Sequence, residues 1–178
     1  FTKYEAGVLE TFTLSDEHAP VIQDADLVAS PLFTQVEALF ESTLRWRPRG
    51  LRSVDFMDLS DYGRDVQIVE KYIQDIDIAF FGLTSSENHL LEALSELAAK
   101  YAKLFIVTLG KDGSLAYQDG QRYVQAVIPV DRVVDTTGAG DAFAAAFLHT
   151  YVGSKDVQKS LSEASRYAAK VITHLGSV

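Results

Sequence analysis

Asp135-Thr136-Thr137-Gly138-Ala139-Gly140-Asp141-Ala142-Phe143 is the stretch around which the rest of the chain is arranged. An apolar, β-branched run precedes it (Val127, Ile128, Val130, Val133, Val134), and a helix-forming run from Ala142 to Tyr151 follows. A glycine-rich turn that opens a helix presents backbone N–H groups with no intrahelical partner. With the positive end of the helix dipole they make an anion site. Gly138 and Gly140 carry no Cβ, so the main chain there can approach an anion closely. The first side chain beyond this cradle is a carboxylate, Asp141. Negative charge beside an anion site is costly if binding is the only aim. It makes sense if the carboxylate orients and deprotonates a hydroxyl that attacks a phosphoryl group held by those amides. A glycine turn with Asp as an ordinary helix-start residue is the plainer alternative, and turn chemistry alone does not separate the two.

Working outward, strands alternate with helices. Phe1 to Leu14 reads as extended chain leading to a turn at Ser15-Asp16-Glu17, and Ala25 to Ser30 as a short buried strand stopped by Pro31. Val36, Leu39, Phe40, Thr43 and Leu44 fall on one helical face, ended by Arg47-Pro48-Arg49-Gly50. Leu51 to Met57 is a strand running into the acidic cluster Asp55, Asp58 and Asp61. Val66, Val69, Tyr72 and Ile73 mark a helix, then Ile76 to Phe81 a strand, then a turn over Gly82 to Ser86. Leu90, Leu91, Leu94, Leu97 and Ala98 give another amphipathic helix, and Lys103 to Leu109 is a strongly β-branched and aromatic strand. Asp119-Gly120 between Ser114–Gln118 and Gln121–Ile128 signals a hairpin. A last helix, about Val157 to His174, turns Leu161, Ala164, Ala168, Val171 and Ile172 inward. This order predicts a largely parallel sheet covered on both faces, with ligands beyond the carboxyl ends of the strands.

Composition narrows the partners. With 178 residues, 47% of them hydrophobic, the chain can bury one substantial core, and residues 1–178 read as one domain. A net charge of −9 argues against nucleic acid or an anionic membrane as the main partner, while leaving room for a locally positive phosphate pocket. There is no cysteine, hence no disulfide framework and no thiolate chemistry. No apolar run approaches the roughly 20 residues that span a bilayer, and the expectation is a soluble cytoplasmic protein. The four histidines show no ligand spacing, and Trp46 with its arginines reads as a surface helix end. Opening at Phe1 without an initiator Met, the chain reads as part of a longer protein.

Asp135 to Phe143 resembles the C-terminal signature of the ribokinase-like (PfkB) sugar kinase family. The resemblance implies a three-layer α/β/α fold with a mostly parallel central sheet, here its C-terminal portion, without the N-terminal strands, the Gly-Gly substrate motif and most of the β-lid. It implies transfer of the γ-phosphoryl group of ATP to a carbohydrate hydroxyl, with Asp141 as the base and the amides of Gly138, Ala139 and Gly140 stabilising the transferred group. Thr108-Leu109-Gly110-Lys111-Asp112-Gly113, by itself either a tight turn or a place of close ligand approach, matches the family's nucleotide-binding turn. Thr137 and Ser165 fall where members touch the nucleotide. Asp135 and Thr137, with main-chain oxygens near Val171, His174 and Gly176, match a K⁺ site in many members; Asp135 as a turn cap is the alternative. The family's Asn-x-x-Glu, which organises Mg²⁺, is replaced by Gly82-Leu83-Thr84-Ser85. Either Glu87 takes that role, or Mg²⁺ is held by the nucleotide phosphates, or catalysis is weakened and the protein is a nucleotide- or sugar-binding regulator. Asp58 falls close to the substrate cleft. The run from Tyr4-Glu5-Ala6-Gly7-Val8 through Asp55-Phe56-Met57-Asp58 looks most like fructoselysine 6-kinases, which implies a sugar or sugar–amine adduct as acceptor. Members often form homodimers through the lid. A dinucleotide-binding oxidoreductase is disfavoured, because no Gly-x-Gly-x-x-Gly follows an early strand.

Overall fold

Val54, Ala79, Phe81, Phe105, Val107, Leu115 and Tyr117 point to one side of a sheet, while Ile78, Phe80, Leu104, Ile106 and Ala116 point to the other. This two-residue alternation, apolar on both sides, is what a central strand buried on two faces requires. A computed structural model describes residues 7–10 and 12–176. It shows a six-stranded sheet in the order β1 (Leu27–Pro31), β2 (Leu51–Asp55), β3 (Ile78–Gly82), β4 (Leu104–Thr108), β5 (Ser114–Gln118) and β6 (Gln121–Gln125). β1 to β4 run parallel, in registers such as Pro31 opposite Asp55 and Gly82 opposite Thr108. The β5–β6 hairpin adds two antiparallel strands, with Asp119 and Gly120 both at positive φ in its turn.

The helices divide between the faces. A short helix, α1 (Ala19–Gln23), precedes the sheet. The connections α2 (Glu37–Thr43), α3 (Gln67–Tyr72) and α4 (Asn88–Tyr101) bury Phe40, Val69, Tyr72, Leu90 and Leu94 in the first core. α5 (Ala139–Ser154) and α6 (Val157–Val171) cover the second, through Phe143, Phe147, Leu148, Tyr151, Leu161 and Ala164. Phe147 lies edge-on to Phe80 with centroids 5.6 Å apart, an arrangement the ring quadrupoles favour. Asp156 caps α6 by accepting from the Lys159 N–H at 2.9 Å. The expected three layers and mostly parallel sheet are therefore present. Among the described residues, no helix is long and apolar enough to cross a membrane.

Four expectations need correction. The strand expected to be buried over Ala25–Ser30 and stopped by Pro31 runs from Leu27 to Pro31 itself and is only half buried, since it is an edge strand, where proline is tolerated. The chain from Gly7 to Glu10 forms a 3-10 turn, with Gly7 at φ 55°, where extended chain was expected; Phe1 to Ala6, Thr11, Ser177 and Val178 lie outside the described residues. The strand expected to reach Ile128 stops at Gln125, and residues 126–134 have no regular structure despite their β-branched content, because Pro129 supplies no ladder donor. Trp46 is buried instead of lying on the surface: it is 9% exposed, with the Arg45 guanidinium 4.8 Å above its ring. Its carbonyl accepts from Arg52 Nη2 at 2.7 Å, while Arg52 Nη1 donates to Thr43 Oγ1 at 2.9 Å. Arg52 thus ties the end of α2 to β2 from a position only 3% exposed. Arg52→Met should lower unfolding free energy by about 2–4 kcal/mol, since it strands two buried acceptors; a change below about 0.5 kcal/mol in denaturant titration would refute that role.

Candidate active site

The carboxyl ends of β1 to β4 open onto four loops, and α5 begins beside them. Gly138, at φ 77°, turns the chain into α5, a conformation that costs glycine little. Ala142 N–H donates to Gly138 O at 2.9 Å, the first regular bond of the helix. Ala139 N–H donates to Thr136 O at 3.2 Å, so the amide expected from Ala139 is already engaged within the turn. The Gly140 and Asp141 N–H groups have no acceptor among the described residues. Of the three amides expected, only that of Ala139 is engaged; Gly138 N–H, like those of Gly140 and Asp141, has no acceptor among the described residues.

The turn is fixed by Asp135. One oxygen, Oδ1, accepts from Thr137 N–H at 2.9 Å and Thr137 Oγ1 at 2.8 Å; the other accepts from Gly176 N–H at 3.0 Å. The Thr137 amide, followed by its hydroxyl and by Gly176, holds the Asp135 carboxyl below its usual range. Val134 N–H donates to Ile172 O at 2.8 Å, clasping the same two segments. The fold thus brings Asp135, Thr137 and Gly176 together, 41 residues apart at the extremes. These contacts match the turn-capping alternative. The Val171 carbonyl accepts from His174 N–H at 3.0 Å, closing the end of α6, and the His174 side chain is exposed.

Gly140 borders a pocket of about 490 Å³. From the turn after β4, Thr108, Gly110, Lys111 and Gly113 line it; Leu109 and Asp112 do not. Leu109 is 8% exposed and belongs to the first core, and Asp112 accepts from Ser85 Oγ at 2.6 Å. Gly113 is glycine for the fold's sake: at φ 92°, a Cβ would stand 2.3 Å from the Gln125 carbonyl. At Gly140 a Cβ would meet nothing within 4 Å. Ser165, 8% exposed, closes the pocket from α6 with Ala168, Ala169 and Ile172. The irregular segment from Val127 to Val133 forms the opposite wall, which the sequence hid because its composition is that of a strand. Pro129 was the available signal.

Asp141 lies on the other side of the cradle, exposed on the first turn of α5. It faces Asp55, a residue the sequence placed only as the start of an acidic cluster. Burial first, then the charge of Asp141, pushes the Asp55 carboxyl above its ordinary value, against the opposing pull of the Met57 N–H 2.8 Å away. Asp58 lies in the next loop, beside a smaller hollow of about 210 Å³ that includes Leu32, Phe56 and Tyr62. Its oxygens accept from Ser60 N–H at 3.0 Å and Arg64 Nη1 at 3.4 Å.

Glu87, one of the expected Mg²⁺ ligands, has both carboxylate oxygens engaged by neighbours. Its Oε1 accepts from Arg64 Nε at 2.8 Å and from Arg64 Nη2, and its Oε2 from Thr84 N–H at 2.8 Å and Thr84 Oγ1 at 2.9 Å. Arg64, followed by the Thr84 amide, lowers its pKa, which puts a negative charge beside the start of α4 although its side chain bonds no amide of that helix. Among the described residues, no three His, Cys, Asp or Glu side chains gather as a metal site.

Residues 64–178 match the family model described as pfkB family carbohydrate kinase. Fructoselysine 6-kinase of Escherichia coli (strain K12) is 29% identical over 177 residues, which is 99% of this chain and 65% of that protein. The adenosine kinase structure from Sinorhizobium meliloti matches 89% of this chain and 52% of that one, with TM-score 0.74 and 22% identity. Arabidopsis thaliana ribokinase, solved with ribose and ATP, matches 93% and 55%, with TM-score 0.74 and 22% identity. The chain belongs to the pfkB family of carbohydrate kinases and has its ribokinase-like α/β fold. It spans about two thirds of the length of the curated relative and just over half that of the solved structures.

The raised Asp55 pKa carries a sign. A carboxyl that holds its proton more tightly when folded costs stability once pH rises through its folded value, and costs nothing below its unfolded value near 3.8. Asp55→Asn should therefore raise Tm at about pH 7, with the gain shrinking toward about pH 4. A gain independent of pH in thermal melts would remove electrostatics as its cause.

Proposed function

We propose that this chain carries the nucleotide and phosphoryl-transfer half of an ATP-dependent sugar kinase domain, acting on a hydroxyl of a carbohydrate or a sugar–amine adduct of the fructoselysine kind. One observation carries the reading: the unpartnered Gly140 and Asp141 amides open α5 between an apolar pocket on one side and the exposed Asp141 carboxylate on the other. ATP lies with its base toward Ser165 and Ala168 and its phosphates toward Gly110 and Gly140. The acceptor hydroxyl approaches from the side of Asp55 and Asp58. Asp141 aims that hydroxyl and takes its proton as the new O–P bond forms and the bond to ADP breaks; the two amides and the helix dipole stabilise charge on the transferred group.

The residues present fit a hydrated Mg²⁺ carried mainly by the triphosphate, because Glu87 is engaged by Arg64 and Thr84 and Mg²⁺ keeps several of its waters. Bound there, the ion would neutralise phosphate charge. K⁺ beside Asp135 belongs to the same reading. A second reading, a nucleotide-binding regulator with weak chemistry, draws on the engagement of Glu87 by Arg64 and Thr84. ATP consumption with a panel of sugars and fructose–amine adducts separates the two: turnover with none of them, despite ATP binding, would select the regulator.

Asp141→Asn should lower turnover by at least about 10³-fold while ATP affinity by calorimetry changes less than about threefold. Equal loss of both would make Asp141 a structural cap instead. The glycines offer a separate check. Gly140→Ala should leave Tm unchanged or higher, since alanine favours a helix, yet weaken ATP binding or turnover at least about tenfold. Gly113→Ala should instead cost about 2 kcal/mol or more of stability. If both glycines respond alike, the cradle has been misplaced.

A further inference from the structure

We infer that the pocket does not distinguish one purine from another, so that the phosphoryl donor is a purine nucleoside triphosphate in general. The inference rests on the nucleotide reading above. Of the side chains lining the pocket, only Thr108, Lys111, Thr136 and Ser165 carry a polar group. Thr108 Oγ1 donates to the Phe81 carbonyl at 3.3 Å. Lys111 and Thr136 stand next to Gly110 and within the signature turn, at the phosphate end. Ser165 alone remains for the base.

Adenine and guanine differ at three places: an amino group against a carbonyl at C6, a bare N1 against N1–H, and the extra amino group at C2. A site tells them apart when a fixed donor or acceptor is satisfied by one and left unpaired, at a cost, by the other. A serine hydroxyl donates or accepts by rotating, so it suits the C6 amino group and the C6 carbonyl equally. No carboxylate or amide side chain lines the pocket to pair with N1–H and the C2 amino group of guanine, or to reject them. Valine, isoleucine, proline, alanine and phenylalanine carbons supply the remaining contact, and a flat purine of either kind offers them similar area.

Main-chain groups are the other source of selectivity, and here they are unbraced. Residues 127–133 make no backbone hydrogen bond to any described residue, so no ladder holds their amides and carbonyls at set positions. The contrast is with the phosphate end, where the Gly113 carbonyl accepts from Leu109 N–H at 2.8 Å and the Asp135 carboxylate from Thr137 and Gly176, so both turns are held. Charge and shape are read tightly, ring substituents loosely.

The test is displacement of a ribose-labelled fluorescent ATP analogue from the chain by ATP, GTP and ITP in Mg²⁺ buffer. The three dissociation constants should agree within about tenfold, and Ser165→Ala should change all three by the same factor. Displacement by ATP at least about a hundredfold better than by GTP and ITP would overturn the inference while leaving the nucleotide site standing. So would a Ser165→Ala effect confined to ATP. Failure of every triphosphate to bind would overturn the nucleotide reading itself.

Discussion

Two oxygens of one carboxylate govern this site. Asp135 gathers the amide and hydroxyl of Thr137 on one oxygen and the amide of Gly176 on the other, so one carboxylate joins the turn into α5 to the segment that follows α6. Hydrogen bonds to an ionised acceptor are among the stronger ones available. The direction in which the Gly140 and Asp141 amides point depends on them, because the turn from Thr136 to Gly138 has no strand or helix to hold it from within. An anion site made of main-chain donors is only as well aimed as the turn that carries it.

Around that turn the sheet separates two tasks. Toward β4 and the β5–β6 hairpin lies an apolar pocket closed by α6; toward β1 and β2 lie Asp55, Asp58 and a small hollow. The helix start stands between them, with Gly140 on the pocket side and Asp141 on the other. Bridging contacts run along the rim: Arg64 joins Asp58 to Glu87, and Ser85 joins the next loop to Asp112. Loops from three strands are thereby linked by side chains without any of them entering the pocket.

Much of this could be read from the residues alone, for a physical reason. Strands buried on both faces have unbroken apolar runs, as in Ile78–Phe81 and Leu104–Val107, and their helices repeat at i, i+3 and i+4, so periodicity located them. What stayed hidden depends on contacts distant in sequence. Leu109 sits inside a stretch that resembles a nucleotide-binding turn yet faces the core, and Trp46 looks like a surface residue until Arg52 is found bonded to its carbonyl. Asp55 gains its character from burial and then from Asp141, 86 positions away in the chain. The Arg64 and Thr84 partners of Glu87, one of several readings for the missing Mg²⁺ motif, become visible only after folding. The segment at 126–134 misled because β-branched residues favour strands only where a neighbouring strand is available to pair.

That last segment has an evolutionary corollary. From Val127 to Val133, a wall tied to neither sheet nor helix by its backbone can change its side chains without disturbing the ladders that keep the domain folded, and Val127 and Val133 are already half exposed. Lineages that share this scaffold can therefore drift in which cosubstrate they prefer while melting temperature stays under separate selection. In this architecture, taste and sturdiness are written in different parts of the chain.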